Sequence, residues 1–496
     1  MVDPALTRRP LVIAAVMLSM AMIAIEATIV ATAMPQIIGQ LGGLTFYSWV
    51  FASFLLTQTA ATVIFGKLAD VYGRKRSLLA GIALFLAASL ACGFAWSMPS
   101  LVVFRLLQGI GAGAIQPVAQ TVVGDLYSAR ERGRIQGALA SVWATAAVLG
   151  PLVGAVLVEH AGWPWIFWIN IPFGLLAAFL YARFLHEQVA RKEASIDVVG
   201  AALFTVSVGG LMIALTESGA GSPTATSIAG ATFLVGGALF AWQERRSRAP
   251  LIPLGVWTRR PIAAANAAAL LSGMALIGLS TFLPMYVQGV LQRSPVVAGL
   301  ALTVLVVGWP VGATLATRYY GRFGLRTILV AGSVLLPLGA SALLILGSKT
   351  SPFVAGAGSL VMGLGMGLLS ATSIVMIQEI TDWSQRGTAT ASNVFSRNLG
   401  SALGAAVFGA VLNAGLARGG PAVPVTSEAL QGVLAAADAA GDAGALRALL
   451  AGALHQTFVA MFLASLATVA AALLVPHVPL GRAGPREPAE RVSATG

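Results

Sequence analysis

Two ionisable residues inside long apolar segments, Glu26 and Arg105, are the first candidates for chemistry in this sequence. A charged side chain at the centre of a bilayer costs roughly 2.5–3.5 kcal/mol on insertion scales, so such residues by default mark a path for a substrate or for protons. A carboxyl such as Glu26 can bind a proton or, when ionised, a cation, and the two would compete. The alternative is a carboxylic acid that is hydrogen-bonded between helices and has only a structural role.

The residues that follow Arg105 indicate close helix packing. Gln108 lies three residues further on and shares the helix face of Arg105. Gly109 and Gly113 have the small-xxx-small spacing that lets membrane helices touch. Packing explains the glycines but not a guanidinium away from the basic loops, so the sequence favours a functional role for Arg105.

A short basic turn, residues 66–76, is a second candidate site with the sequence GKLADVYGRKR. It joins two apolar runs and must therefore turn sharply at a membrane surface. Short cytoplasmic loops are commonly basic, which explains the cations. That rule explains neither the lone acid inside the turn nor the two glycines. Gly66 lets two helix ends approach closely, and Gly73 can take the left-handed backbone that ends a helix. The candidate gating residues of this turn are Gly66, Lys67, Asp70, Gly73 and Arg74.

The composition places these residues in a polytopic membrane protein. Of the 496 residues, 57% are hydrophobic and 10% are charged, against roughly 25% charged in soluble domains. The net charge of +12 does not indicate nucleic acid, because Lys and Arg concentrate in short loops between apolar runs. The single cysteine, Cys92, excludes a disulfide or a cysteine metal site within the chain, and no cofactor is expected.

Fourteen transmembrane helices are predicted from the apolar runs and their flanking charges, so the fold class is all-α. Their approximate ranges are 11–33, 47–67, 77–95, 99–125, 136–158, 165–186, 197–216, 227–243, 262–289, 296–317, 326–346, 352–378, 389–416 and 455–475. The positive-inside rule then predicts a multi-pass plasma-membrane protein with both termini in the cytoplasm. The first run is too long for a cleaved signal core, so we expect it to be retained.

An internal repeat divides the chain into two related halves. Residues 317–326, TRYYGRFGLR, repeat the pattern of the basic turn, with Gly321 in place of Asp70. Paired halves around a central site are typical of alternating-access transporters, and the missing acid predicts two unequal gates. The predicted parts are a six-helix half at 1–190, two inserted helices at 191–260, a six-helix half at 261–476 and a disordered cytoplasmic tail at 477–496. The second half has a long outer loop at 417–454, and this loop contains a candidate short helix at 443–450.

Several segments resemble those of a known family. The basic turn resembles the loop between helices 2 and 3 of the major facilitator superfamily, a resemblance that places Asp125 near Arg74 as a further gating candidate. The segment around Glu26 resembles the helix 1 signature of the fourteen-helix drug:proton antiporters, the QacA/EmrB type, where aspartate is usual. The segment around Arg105 resembles the superfamily's helix 4 motif, whose intramembrane arginine is linked to proton transfer.

Residues 146–155 resemble the motif that marks antiporters within this superfamily. Gly150, Pro151 and Gly154 match it, whereas alanine stands at 146 and 155, where glycine is usual. The resemblance implies that the Gly-Pro pair bends the helix. Ordinary glycine packing explains Gly154 but not a Gly-Pro pair in the middle of a helix.

The resemblance implies a proton-coupled multidrug exporter that moves hydrophobic, often cationic compounds outward by alternating access. No GxxxxGK[ST] loop is present, so an ion gradient is expected to drive it. The expected partners are a small molecule, protons and the lipid bilayer, without nucleic acid, and a monomer is expected. Candidates for contact with the compound, with packing or lipid contact as the alternative for the aromatic ones, are Gln108, Trp143, Phe282, Tyr286 and Trp309.

Other functions stay open at this point. The same fold would serve to export a native lipid, an antibiotic or a siderophore. A membrane-embedded enzyme is disfavoured because the sequence offers no metal cluster, no nucleophile–base pair and no cytosolic domain. An importer is disfavoured by the Gly150-Pro151 pair.

Overall fold

The computed structural model describes residues 7–42, 46–187, 197–220, 223–247, 250–252, 254–293, 295–347, 350–417 and 443–478. The secondary-structure elements that build the fold in these ranges are helices. The first seven are α1 Arg9–Leu41, α2 Tyr47–Tyr72, α3 Arg74–Gly93, α4 Met98–Leu126, α5 Ala129–His160, α6 Trp165–Trp168 and α7 Asn170–Phe184. The others are α8 Val198–Ala220, α9 Pro223–Arg246, α10 Leu254–Trp257, α11 Arg260–Gly289, α12 Pro295–Leu344, α13 Pro352–Ile380, α14 Arg386–Ala417 and α15 Ala443–Leu473.

Local sequence sets several of the helix ends. A capping box precedes α4, where the backbone N–H of Ser100 donates to the Ser97 hydroxyl at 3.3 Å. Another precedes α5, where Glu131 Oε2 accepts from the backbone N–H of Ser128 at 2.9 Å. Between α2 and α3 only Gly73 intervenes, with a φ of 95° that an L side chain rarely adopts. The predicted sharp turn at Gly73 is therefore present.

The number of spans differs from the prediction at α12. Within the described residues, twelve helices are long and apolar enough to cross a membrane, or thirteen if the bent α5 counts as one span. Helix α12 has 50 residues and takes in both helices predicted at 296–317 and 326–346. The backbone is non-helical inside it at Gly324, with φ 74° and ψ 162°, so the helix is kinked there. The predicted count of fourteen is not reproduced for this reason.

Other differences concern helix ends and loops. The helix predicted at 165–186 is interrupted at Ile169, between α6 and α7. The short helix expected at 443–450 is the first part of α15, so the loop predicted at 417–454 ends earlier than expected. Residues 418–442 of that loop, residues 191–196 and residues 479–496 of the predicted tail lie outside the described part of the chain.

The helices pack in two groups around separate apolar cores. Phe85 and Tyr181 belong to the core among the first seven helices, and Leu283 belongs to a core among α11–α15. Helices α8 and α9 pack on each other, and α8 also contacts α2 and α14. There the rings of Phe204 and Phe395 lie 5.6 Å apart. The pair α8–α9 therefore covers one seam between the two groups.

Glycines bring α4 and α2 close together. A Cβ atom on Gly109 would lie 2.3 Å from the carbonyl oxygen of Phe54, and one on Gly113 would lie 2.5 Å from that of Gln58. Such distances are shorter than any van der Waals contact, so only glycine fits at this crossing. The close helix contact expected from the glycine spacing is therefore observed, and it places Arg105 beside α2.

Candidate functional site

A buried cluster joins the two ionisable residues that the sequence singled out. Glu26 on α1 forms an ion pair with Nη1 of Arg105 on α4, and both side chains are almost completely buried. The Asn170 side chain at the start of α7 donates to the second carboxylate oxygen of Glu26 at 2.6 Å. Three helices therefore meet at one carboxylate, a contact that neither spacing nor composition predicts.

Other contacts fix the Arg105 side chain. Its Nε donates to the carbonyl oxygen of Val50 at 3.1 Å, and Nη1 also donates to Gln108 Oε1 at 2.7 Å. The guanidinium lies over the Phe54 ring, 4.2 Å from the centroid. Gln108 in turn donates to Ser89 Oγ at 2.8 Å. Gln108 is thus a positioning partner of Arg105, set behind it on the helix face that the two residues share.

The cluster can respond to a proton. Glu26 and Arg105 together carry no net charge, and adding one proton to the carboxylate leaves a buried guanidinium without its counter-ion. Removing one partner of a buried ion pair costs about 3–5 kcal/mol. A proton on Glu26 would therefore weaken the contacts between α1, α4 and α7.

The signal for Asn170 in the sequence was one polar residue within an apolar run, which by itself is too common to identify a site.

A cavity of about 490 Å³ lies beside this cluster, within the range of small-molecule sites. Its wall includes Glu26 and Arg105 from the first group of helices and residues of α11–α14 from the second. Two of the predicted aromatic candidates, Trp143 on α5 and Trp309 on α12, also line it. Most of the remaining wall is apolar, with a few amide and hydroxyl side chains.

Three predicted contact residues do not line this cavity. Gln108 is enclosed behind Arg105, as described above. Phe282 and Tyr286 lie in the apolar core of α11–α15, where the Tyr286 hydroxyl donates to the carbonyl oxygen of Leu346 at 2.8 Å. On α11 the cavity is lined by Leu276 and Ile277 instead. At about 100° per residue, Phe282 points about 170° and Tyr286 about 130° away from the direction midway between Leu276 and Ile277, so helix rotation turns both from the cavity.

Asp70 joins the two groups of helices at one end of the bundle. Its carboxylate accepts from the backbone N–H groups of Gly387 at 2.9 Å and Thr388 at 2.7 Å, and from the Thr388 hydroxyl at 2.8 Å. These groups form the first turn of α14, where free N–H groups and the helix dipole favour an anion. Asp70 also lies 3.1 Å from Nη2 of Arg74. An acid of the basic turn therefore caps a helix of the other group.

Arg74 and Asp125 extend this contact. Arg74 Nε donates to Asp125 Oδ2 at 3.0 Å, as the resemblance placed them. Arg74 Nη2 donates to the carbonyl oxygen of Trp383 at 2.7 Å, and the guanidinium lies 3.9 Å above the Trp383 ring. A Cβ on Gly66 would lie 2.3 Å from that of Ala391, so the glycine permits this approach. Lys67, the remaining gating candidate, forms no ion pair with a described residue.

Two further ion pairs at this end involve residues at equivalent positions of the internal repeat. Arg386 of α14 pairs with Asp125 of α4 at 2.7 Å, and Arg132 of α5 pairs with Glu379 of α13 at 3.0 Å. Glu379 follows Asp125 by 254 residues, and Arg386 follows Arg132 by the same 254. Glu379 is buried in this pair. We call the set Asp70, Arg74, Asp125, Arg132, Glu379 and Arg386 the ion-pair layer.

The residues of the predicted antiporter motif lie where α5 meets α1. A Cβ on Gly150 would lie 2.0 Å from Thr28 Oγ1, and that hydroxyl donates to the carbonyl oxygen of Ala146 at 3.1 Å. Helix α5 bends by 42° between Glu131–Ala147 and Leu152–His160, and both Gly150 and Pro151 fall in the break. Gly154 is buried one turn further on. Because Thr28 is two residues from Glu26, this contact adjoins the charge cluster.

A family model described as Major Facilitator Superfamily matches residues 16–405. The chain belongs to this superfamily. It is therefore a membrane transporter with the superfamily's all-helical fold and not an enzyme. In the part of the chain that the structure describes, no group of three or more His, Cys, Asp or Glu side chains is placed to hold a metal ion.

Relatives agree with this membership, and a solved structure has the same fold. The chain is 32% identical over 413 residues to Multidrug transporter protein MdtP of Bacillus subtilis, a match that covers 82% of this chain and 76% of that one. It is 34% identical to Multidrug resistance protein 3 of the same species, over 81% of this chain and 79% of that one. The proton:xylose symporter XylE has the same fold at a TM-score of 0.61, with 15% identity over 94% of this chain and 96% of that one.

Proposed function

We propose that this superfamily member is a proton-coupled multidrug efflux transporter that works by alternating access. The observation that carries the proposal is the buried Glu26–Arg105 pair on the wall of a cavity large enough for a drug-sized molecule. The similarity to proteins named as multidrug transporters supports export of drug-like compounds.

Coupling follows from the chemistry of Glu26. When the cavity faces outward, a proton binds Glu26 and releases Arg105 from its counter-ion. When the cavity faces inward, the proton leaves and the ion pair forms again. Exchange requires that a protonated Glu26 and a bound substrate disfavour one another. The two share one wall of the cavity, which is where they would compete for the same space.

The ion-pair layer supplies the gate in this proposal. It joins the two groups of helices at one end, so the opposite state requires these contacts to break. Asp70 and Arg74 contribute from the first half, whereas Gly321 takes the place of the acid in the second. A Cβ on Gly321 would have no atom within 4 Å, so the second half has no equivalent contact at this position. The asymmetry supports two gates of unequal strength.

We extend the proposal to topology. A 50-residue α12 would be about 75 Å long as one straight helix, against a hydrocarbon core of about 30 Å, so it crosses the membrane twice and turns at Gly324. This gives fourteen spans: two halves at 1–190 and 261–476 with two inserted helices at 191–260. Arg and Lys at the ion-pair end favour the cytoplasmic side of the plasma membrane for this end, with both termini inside. We further propose that the chain is a monomer.

Cysteine labelling tests this topology. In a Cys92→Ala background, Arg293→Cys and Gly347→Cys flank α12 and are expected to react with an impermeant maleimide in intact cells. Arg322→Cys, at the turn near Gly324, is expected to react only in inside-out vesicles. Labelling of positions 293 and 347 from opposite sides would mean that α12 crosses the membrane once.

Transport by the purified protein tests the function. In liposomes with an imposed pH gradient, we expect accumulation of some members of a drug panel against their own gradient, together with movement of protons in the opposite direction. Collapse of the pH gradient with an uncoupler is expected to stop the accumulation. Accumulation that continues without any pH gradient or membrane potential would contradict proton coupling.

A further inference from the structure

The cavity contains one charge that the proposed mechanism does not use. Among the described residues that line it, only Glu26, Arg105 and Arg397 are ionisable. Glu26 and Arg105 neutralise one another in their ion pair. Arg397, on α14, is therefore the charge that sets the sign of the cavity, and that sign is positive.

The Arg397 side chain has no counter-ion within the described part of the chain. Its guanidinium makes neither an ion pair nor a hydrogen bond there, although its backbone carbonyl accepts from the Ser401 hydroxyl at 3.2 Å. The residue is half-buried in the middle of a membrane-spanning helix. An unpaired guanidinium at such a place is costly, and such residues commonly serve a substrate or ion path.

The surroundings of Arg397 fit a carboxylate with an apolar body. Asn398, the next residue, also lines the cavity, and its side-chain amide has no partner among the described residues. Trp143 follows Arg132 by eleven residues, as Arg397 follows Arg386, so the two halves present an indole and a guanidinium at repeat-related positions. Both side chains reach the same cavity. A flat apolar body can stack on the indole while a carboxylate meets the planar guanidinium fork.

We infer that the cavity selects amphiphilic compounds that carry a carboxylate, held by Arg397 with help from Asn398. The inference rests on the proposed function only in using the same cavity, and it replaces the expectation of cationic compounds from the sequence. The indole rings of Trp143 and Trp309 also attract cations, but a full charge acts over a longer distance than a ring quadrupole.

The test uses three fluorescent probes with the same apolar body: pyrenebutyrate, pyrenebutanol and pyrenebutylamine. Their dissociation constants are measured on the purified full-length protein in detergent. Wild type is expected to bind the carboxylate at least about tenfold more tightly than the alcohol, which corresponds to about 1.4 kcal/mol, and to bind the amine most weakly. Arg397→Gln is expected to remove the preference for the carboxylate and to leave binding of the alcohol within about threefold, because only the charged contact is lost.

Two further variants separate charge from folding. Arg397→Lys is expected to keep part of the preference, because the charge remains while the planar fork is lost. Arg322→Gln removes an exposed arginine outside the cavity and is expected to leave all three constants unchanged. If wild type binds the amine as tightly as the carboxylate, or if Arg397→Gln weakens all three probes equally, the inference is wrong.

The binding result is independent of the proposed function. Carboxylate-selective binding without uphill movement of any probe in liposomes would support the inference and contradict proton-driven export. Uphill export that prefers the amine would contradict the inference and leave export standing.

Discussion

Replacing Glu26 by Gln is expected to reduce uphill export to the background of cells that lack the transporter. The amide has the size of the carboxyl, but its single oxygen can replace only one of the two carboxylate oxygens that accept from Asn170 and Arg105, and it can neither bind nor release a proton. It also leaves Arg105 buried without a counter-ion, a loss of about 3–5 kcal/mol in comparable pairs. The measurements are drug accumulation in energised cells and proton release when an exported compound is added to the detergent-solubilised protein.

Two variants serve as controls for this prediction. Glu159→Gln removes an exposed acid at the far end of α5 and is expected to export at the wild-type rate. Glu26→Asp keeps the titratable group and is expected to retain partial activity, since the shorter side chain loses optimal contact with Asn170. If Glu26→Gln still releases protons and still pumps uphill, the coupling acid lies elsewhere, and Asp125 and Glu379 are the next residues to replace.

Asp70→Asn is expected to lower the transport rate at least about tenfold while substrate affinity stays within about threefold. The carboxylate accepts three hydrogen bonds from the first turn of α14. Hydrogen bonds to charged groups contribute about 1.5–3 kcal/mol, so loss of the charge shifts the equilibrium between the two states about ten- to hundredfold. The rate falls because the protein no longer closes reliably at this end, whereas the cavity wall is unchanged.

Accessibility distinguishes a broken gate from a misfolded protein. In a Cys92→Ala background, Gln136→Cys places a thiol on the cavity wall one turn from Arg132. Maleimide in inside-out vesicles is expected to label it faster when Asp70 is replaced by Asn. Asp382 is an exposed acid in the loop before α14, and Asp382→Asn is the matched control. It is expected to change neither the transport rate nor the labelling rate. Wild-type turnover in Asp70→Asn would mean that the basic turn only sets the membrane topology. Gly321→Asp added to Asp70→Asn is not expected to restore activity.

The sequence alone was sufficient for several features of this protein. Its hydropathy determined a polytopic all-helical fold, because a bilayer permits few other ways to satisfy the backbone. The isolated charges Glu26 and Arg105 and the acid in the basic turn marked candidate positions for function, because charged residues within apolar helices are costly. Gly73 marked the sharp turn through the backbone conformation that it alone adopts readily. Each of these inferences depends on one residue and its immediate neighbours in the chain.

The tertiary structure decided which of these residues meet. Glu26, Arg105 and Asn170 come from three helices, and neither spacing nor composition predicts their contact. The rotation of α11 turned Phe282 and Tyr286 into a core, while α14 brought Arg397 to the cavity. The position of Arg397 inside the helix predicted at 389–416 was a signal in the sequence, but its place on the cavity wall was not. Side-chain direction changes by about 100° per residue along a helix. A small difference in helix packing therefore decides whether a residue faces the cavity, and that packing depends on contacts between residues far apart in the chain.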